Sequence, residues 1–169
     1  GGGLGRSHAL QLAARGAKVL VNDLGSARDG SGGSSAAAEA VVAEIRAAGG
    51  VAMANGCSVT DPAGVQAMVD QVMAEWGRID ILVNNAGCNI RKPALEVTWD
   101  DWNTILDTNL RGVFFVAQGI ARHMVERRYG RIINIGSVTS VCGYAGLGPY
   151  GASRGGVKQL TMSLADDWG

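Results

Sequence analysis

Four short apolar runs, each leading into a stretch with helical spacing, constrain this chain more than any other feature. They are Lys18–Asn22, Val51–Ala54, Ile79–Val83 and Arg131–Ile135. Ala9–Arg15 reads as a helix that follows a glycine cluster. Ala36–Ala48 places Ala37, Val41, Ile45 and Ala48 near helical spacing and stops at Gly49-Gly50. Asp61-Pro62 opens a helix with Val65, Met68, Val69, Val72, Met73 and Trp76 on one face, and Gly77 ends it. Thr98 and Asp101 have the spacing of a capping box, which predicts a long helix to about Met124. Pro149 stands where a last helix would start. Continuous apolar strands alternating with helices predict a parallel sheet covered on both faces, a doubly wound α/β fold. Ligands of such folds sit at the carboxyl ends of the strands. The residues just after each run are therefore the candidates.

The chain has 169 residues, the size of a single domain spanning 1–169. Its charge, 15 Lys+Arg against 15 Asp+Glu, sums to zero. No overall basic field draws it to nucleic acid or acidic membranes. No apolar run reaches the ~18–20 residues needed to cross a bilayer; the run Gly112–Ala117 is broken by Gln118. Cys57, Cys88 and Cys142 form no CxxC pair, which argues against a disulfide framework. His8 and His123 lie far apart with no ligand cluster around them, so no metal site is expected. With no signal peptide visible, the expectation is a soluble cytoplasmic domain. Gly25–Ala38 reads as a loop running into a helix.

At the strand ends stand four groups. Gly1-Gly2-Gly3-Leu4-Gly5 runs straight into a helix, where bare backbone and free N–H groups suit a diphosphate. A strict GxGxxG is absent, and a plain glycine turn is the competing reading. Asp23 lies 18 residues after Gly5. An acid there accepts ribose hydroxyls and repels a 2′-phosphate, although it also suits a simple turn. Asn84-Asn85-Ala86-Gly87 puts two amides and two small residues at the third strand end, a surface for a flat ligand or a plain turn. Ser137 follows the fourth run, with Tyr150 13 residues later and Arg154 one helical turn beyond. The i, i+4 spacing sets phenol and guanidinium on one face, where a cation stabilises phenolate. Such a pair also occurs as a mere surface stack.

In this order the pieces resemble the short-chain dehydrogenase/reductase family. Gly3 and Gly5 match the last glycines of its Thr-Gly-x-x-x-Gly-x-Gly motif, Asn84–Gly87 its NNAG motif, and Asn109 its catalytic Asn. Ser137 and Tyr150 match its Ser and the Tyr of Tyr-x-x-x-Lys. The resemblance implies a Rossmann-type fold lacking its first, central strand and its C-terminal part. It implies an oxidoreductase moving a hydride between a nicotinamide cofactor, NAD rather than NADP, and a carbonyl or secondary alcohol. Tyr150 then exchanges the proton, Ser137 orients the substrate oxygen, Arg154 lowers the Tyr pKa and holds the nicotinamide ribose, and Asn109 maintains a water-linked proton path. The implied cofactor set is Gly3, Leu4, Gly5, Asp23, Ser58, Val59, Asn85, Ala86, Gly87, Tyr150 and Arg154.

The chain departs from the pattern at two positions: the family's Lys is Arg154, and its adenine-contacting Asp is Ser58. The first departure opens a second reading, a dinucleotide-binding module that has lost turnover, because Arg does not relay a proton as Lys can. A third reading fails. Gly151-Ala152-Ser153-Arg154-Gly155 spells GxSxG, but no strand precedes it and no His follows. Substrate class divides the chain: Arg91–Trp168 is similar to gluconate-type sugar-acid reductases, and Gly1–Val59 to hydroxyacyl, 3-oxoacyl or hydroxysteroid dehydrogenases. Val113-Phe114-Phe115-Val116 makes the long helix apolar on more than one face, and the family pairs that helix across homodimer or homotetramer interfaces. The tryptophans read as core or interface, and Cys88 and Cys142, which follow matched motifs, as buried packing rather than pocket residues.

Overall fold

A computed structural model describes residues 2–27, 29–32 and 35–169. Helix α1 spans Gly3–Ala14, and strand β1 (Val19–Asn22) leads to α2 (Ala36–Ala47). Strand β2 (Ala52–Asn55), α3 (Pro62–Trp76) and β3 (Ile81–Asn84) follow. Next come α4 (Trp99–Leu106), α5 (Gly112–Glu126), β4 (Arg131–Asn134) and α6 (Gly148–Trp168). Strand and helix alternate as the sequence predicts, and both strand pairings are parallel.

Alternation along the strands divides the core. Leu20, Met53, Leu82 and Ile132 pack against the buried faces of α3 and α5, chiefly Val65, Val69, Val72, Val116 and Ile120. The intervening residues Val21 and Ala52 join Ala9 of α1 and Val41, Val42 and Ile45 of α2. Side chains of period two thus serve helices on opposite faces of the β1–β2 pair. Pairing is interrupted between β1 and β3: β1 bonds only β2, and β3 only β4. That break is where the family resemblance assigns a further, central strand.

All four strands end on Asn, in register as Asn22 with Asn55 and Asn84 with Asn134. Their amides cross-link the carboxyl edge. Asn84 Nδ2 donates to Asn134 Oδ1 at 2.9 Å, Asn134 donates to Thr161 of α6, and Asn55 to Gln71 of α3. The edge that carries the candidate residues is thereby tied to the helices around it.

Two boundaries differ from expectation. Helix α1 starts at Gly3 rather than Ala9, because its first turn is Gly-Leu-Gly, which carries neither helix propensity nor an apolar pattern. The long helix after Thr98 is broken by a π turn at Asp107–Arg111, with Asn109 fully buried at its centre. Its start is as predicted: Thr98 Oγ1 accepts the Asp101 N–H, and the Asp101 carboxylate accepts the Thr98 N–H. The Lys92 ammonium, with help from the Thr98 amide, lowers the Asp101 carboxyl to about 2. A depressed carboxyl contributes stability above the unfolded value near ~4. That contribution is lost as pH falls through about 2. Thr98→Ala is expected to cost about 1 kcal/mol. It would be read as a lower urea midpoint of the intact protein at pH 7; an unmoved midpoint would show that the box is idle.

Candidate active site

The site lies along the carboxyl edge. At one end, Gly2 caps α1 with an extended backbone and no side-chain hydrogen bond, so the first-turn N–H groups of α1 have no side-chain cap. A Cβ placed on Gly2 or Gly3 would meet nothing within 4 Å, and Gly3 has φ +50°. On Gly5 it would meet Asn85 Nδ2 at 2.9 Å. An uncapped helix start beside open space, with the Asn85 amide against its third glycine, fits a dinucleotide diphosphate. Leu4 between them is exposed.

Asp23 is half-buried just past β1, and its N–H donates to Asn55 O. Its Oδ1 accepts the Gly25 N–H at 2.6 Å, closing the turn that the sequence left as one reading. Burial pushes the carboxyl up, but hydrogen bonding, including that from Gly25, outweighs it and holds the group below its ordinary value. Ser58 closes a turn with Thr60, their hydroxyls 2.8 Å apart. Val59 lies against Gly112 and shares a small cleft with Asn84 and Ala86. Ser58 and Val59 therefore flank the Asn-Asn-Ala-Gly segment.

The other end holds the candidate chemistry. Arg154 is 5% exposed, and its Nη1 donates to Ile135 O at 3.0 Å. Its guanidinium carbon lies 5.2 Å from the Tyr150 ring centroid. Its Nε is buried without a partner, and no described carboxylate pairs with it. The guanidinium presses so close to Gly87 that any Cβ there would overlap it. Gly87, Tyr150 and Arg154, the ends of two different motifs, thus meet at one point. Ser137 is half-buried, and its Oγ accepts the Thr139 N–H at 3.2 Å. That bond uses a lone pair and leaves the hydroxyl proton to give.

The Asn109 side chain is engaged by the protein. Its Oδ1 accepts the Cys88 N–H, and its Nδ2 donates to Cys88 O and Ser153 Oγ. Both amide protons are used, so the side chain clips the segment after Gly87 to α6. Ser153 is fully buried and donates in turn to Tyr150 O at 2.7 Å. It lies inside α6, so the GxSxG pattern forms no exposed elbow. Ser153 enters the sequence reading only as the centre of GxSxG, and Ser140 not at all, because a lone serine in a loop carries no spacing signal of its own. Burial pushes the Cys88 thiol up, with Thr108 and Arg154 opposing, which fits a packing residue. Trp99 is 84% exposed and Trp102 also faces solvent, so neither is core, and Cys142 is exposed rather than buried because it lies in the turn after Ser140.

The short chain dehydrogenase family model matches residues 1–169. The chain belongs to that family. This short-chain dehydrogenase is 42% identical over 165 residues to the peroxisomal multifunctional enzyme type 2 of Drosophila melanogaster, covering 98% of this chain and 27% of that protein. It is 39% identical to the 3-oxoacyl-acyl-carrier-protein reductase FabG of Escherichia coli, over 96% of this chain and 62% of the reductase. A solved gluconate 5-dehydrogenase from Burkholderia cenocepacia, in complex with NADP and tartrate, superposes with TM-score 0.88 at 38% identity. That match covers 99% of this chain and 62% of the other. The short-chain dehydrogenase thus spans less than two thirds of each. A peroxisomal enzyme and a bacterial reductase stand at similar identity, so kinship assigns no compartment. Among the described residues, no helix is long and apolar enough to cross a membrane.

Proposed function

We propose that this chain forms one Rossmann-type domain that binds NAD and catalyses hydride exchange with a carbonyl or secondary alcohol. The observation that carries the reading is the buried Arg154 guanidinium, seated between the Tyr150 ring and Gly87. When bound, the nicotinamide supplies or takes the hydride. Tyr150 gives or takes the proton at its hydroxyl. The Arg154 cation lies against the ring that carries this hydroxyl. Ser137 donates its remaining proton to the substrate oxygen. The uncapped start of α1 at Gly3, Leu4 and Gly5 holds the diphosphate. Asp23 takes the adenosine ribose, Ser58 and Val59 flank the adenine, and Asn85, Ala86 and Gly87 bound the nicotinamide side. Asn109 keeps Cys88 and α6 at their spacing. Assembly as a homodimer or homotetramer is supported by α5, where Val113 and Val116 are buried while Phe115 stays half exposed beside Phe114.

The similar proteins include a 3-oxoacyl-acyl-carrier-protein reductase and a gluconate 5-dehydrogenase, so an acyl thioester and a sugar acid are the two substrates to try. The deciding experiment assays the intact protein for NADH oxidation with acetoacetyl-CoA and for NAD reduction with D-gluconate. Turnover in neither assay, with NADH still bound, favours the silent binding module. One observation supports that second reading: Arg154 is anchored to Ile135 O, which confines the guanidinium to the ring face of Tyr150.

Cofactor choice rests on Asp23. Its carboxylate should repel a 2′-phosphate, so NADH is expected to bind at least tenfold more tightly than NADPH, about 1.4 kcal/mol. Asp23→Ser should close most of that gap. Fluorescence titration with both nucleotides reads it; NADPH binding as tightly as NADH in the unmutated protein would overturn the preference.

A further inference from the structure

The loop after β4 and the helix α6 carry the two halves of the proposed chemistry, and one hydroxyl joins them. Ser140 Oγ donates to the carbonyl of Arg154 at 3.0 Å and accepts the N–H of Ser137 at 3.2 Å. The first bond reaches the backbone of α6 at the residue whose guanidinium lies against Tyr150. The second fixes the backbone of the residue whose hydroxyl faces the substrate. Ser137 Oγ in turn accepts the Thr139 N–H, so the turn Ser137–Ser140 is closed at both ends. A hydroxyl has one proton and two lone pairs, and Ser140 spends one of each in these two bonds. Its neighbour Thr139 is 8% exposed, with its own hydroxyl oxygen buried and unpartnered. Thr139 therefore provides no substitute tie through its side chain.

We propose that Ser140 is a positioning residue that sets the place of Ser137 relative to Arg154 and Tyr150. The proposal rests on the oxidoreductase reading above. Without the Ser140 hydroxyl, the Ser137 N–H and one lone pair of the Arg154 carbonyl lose their partner. The Ser137 turn is then tied to α6 only through packing. Reactions that need two groups in register lose rate on displacements well under a bond length, whereas dinucleotide contacts at α1 and Asp23 lie on other elements.

The test uses the intact protein, Ser140→Ala and Ser140→Thr, with NADH affinity from fluorescence, turnover with acetoacetyl-CoA or D-gluconate, and amide exchange at Ser137. Ser140→Ala is expected to lower kcat about tenfold with NADH affinity within twofold. Exchange at Ser137 should quicken about fivefold, the effect of losing one hydrogen bond of ordinary net worth. Ser140→Thr keeps the hydroxyl and should restore both. Unchanged exchange at Ser137, unchanged kcat, an equal loss of NADH affinity, or no recovery in Ser140→Thr would each overturn the proposal. If the unmutated protein lacks turnover while Ser140→Ala quickens Ser137 exchange, the oxidoreductase reading falls and the tie itself stands.

Discussion

Tyr150→Phe is expected to cut turnover by ~10²-fold or more while NADH affinity stays within about twofold. The substitution removes one hydroxyl and keeps the ring that Arg154 lies against, so the buried guanidinium retains its neighbour. The hydrogen bond from Ser153 to residue 150 is to the backbone carbonyl and survives as well. What is lost is the group that exchanges a proton with the substrate oxygen. Steady-state rates and a fluorescence titration on the same preparation separate these effects. Turnover within a few-fold of the parent would mean that the proton comes from another donor, and the role assigned to Tyr150 would have to be given up.

Much of the site was legible because its residues follow strands, and strand ends are readable from uninterrupted apolar runs. Asp23 and Ser137 lie shortly past a strand, and Asn84–Gly87 runs from the last residue of one. The helix faces of α2 and α3 were legible for a related reason: Val41, Ile45, Val65, Val69 and Val72 recur at helical spacing and are all buried. Three things stayed hidden. The start of α1 carries no pattern, since glycine has no side chain to place on either face. The π turn at Asp107–Arg111 carries an Asn109 amide that grips Cys88, 21 residues earlier, a contact that local spacing does not encode. The sequence left Trp99 open between core and interface, because aromatic content predicts burial on average and says little about one position at a helix start. The capping box at Thr98 was visible for the opposite reason: its bonds join residues three apart.

Arg154 is one of the two positions where the chain departs from its family's pattern, and its geometry sets a sharper expectation than the sequence did. The guanidinium is buried, has no described carboxylate partner, and is held between Ile135 O, Gly87 and the Tyr150 ring. Arg154→Met removes the cation and leaves Ile135 O without its donor. The cation beside the reacting hydroxyl is lost, so turnover near neutral pH should fall at least ~10-fold, within the scale of removing one electrostatic contact from an active site. The pH–rate profile of each form is the readout. Arg154→Lys keeps a charge on a shorter stem and relieves the crowding at Gly87, so turnover should be kept or raised. Rates for the intact protein and both variants at saturating NAD decide it. Equal profiles for Arg154→Met and the parent would take the guanidinium out of the active site. An inactive parent that gains turnover in Arg154→Lys would instead mark the chain as a binding module silenced at this one residue.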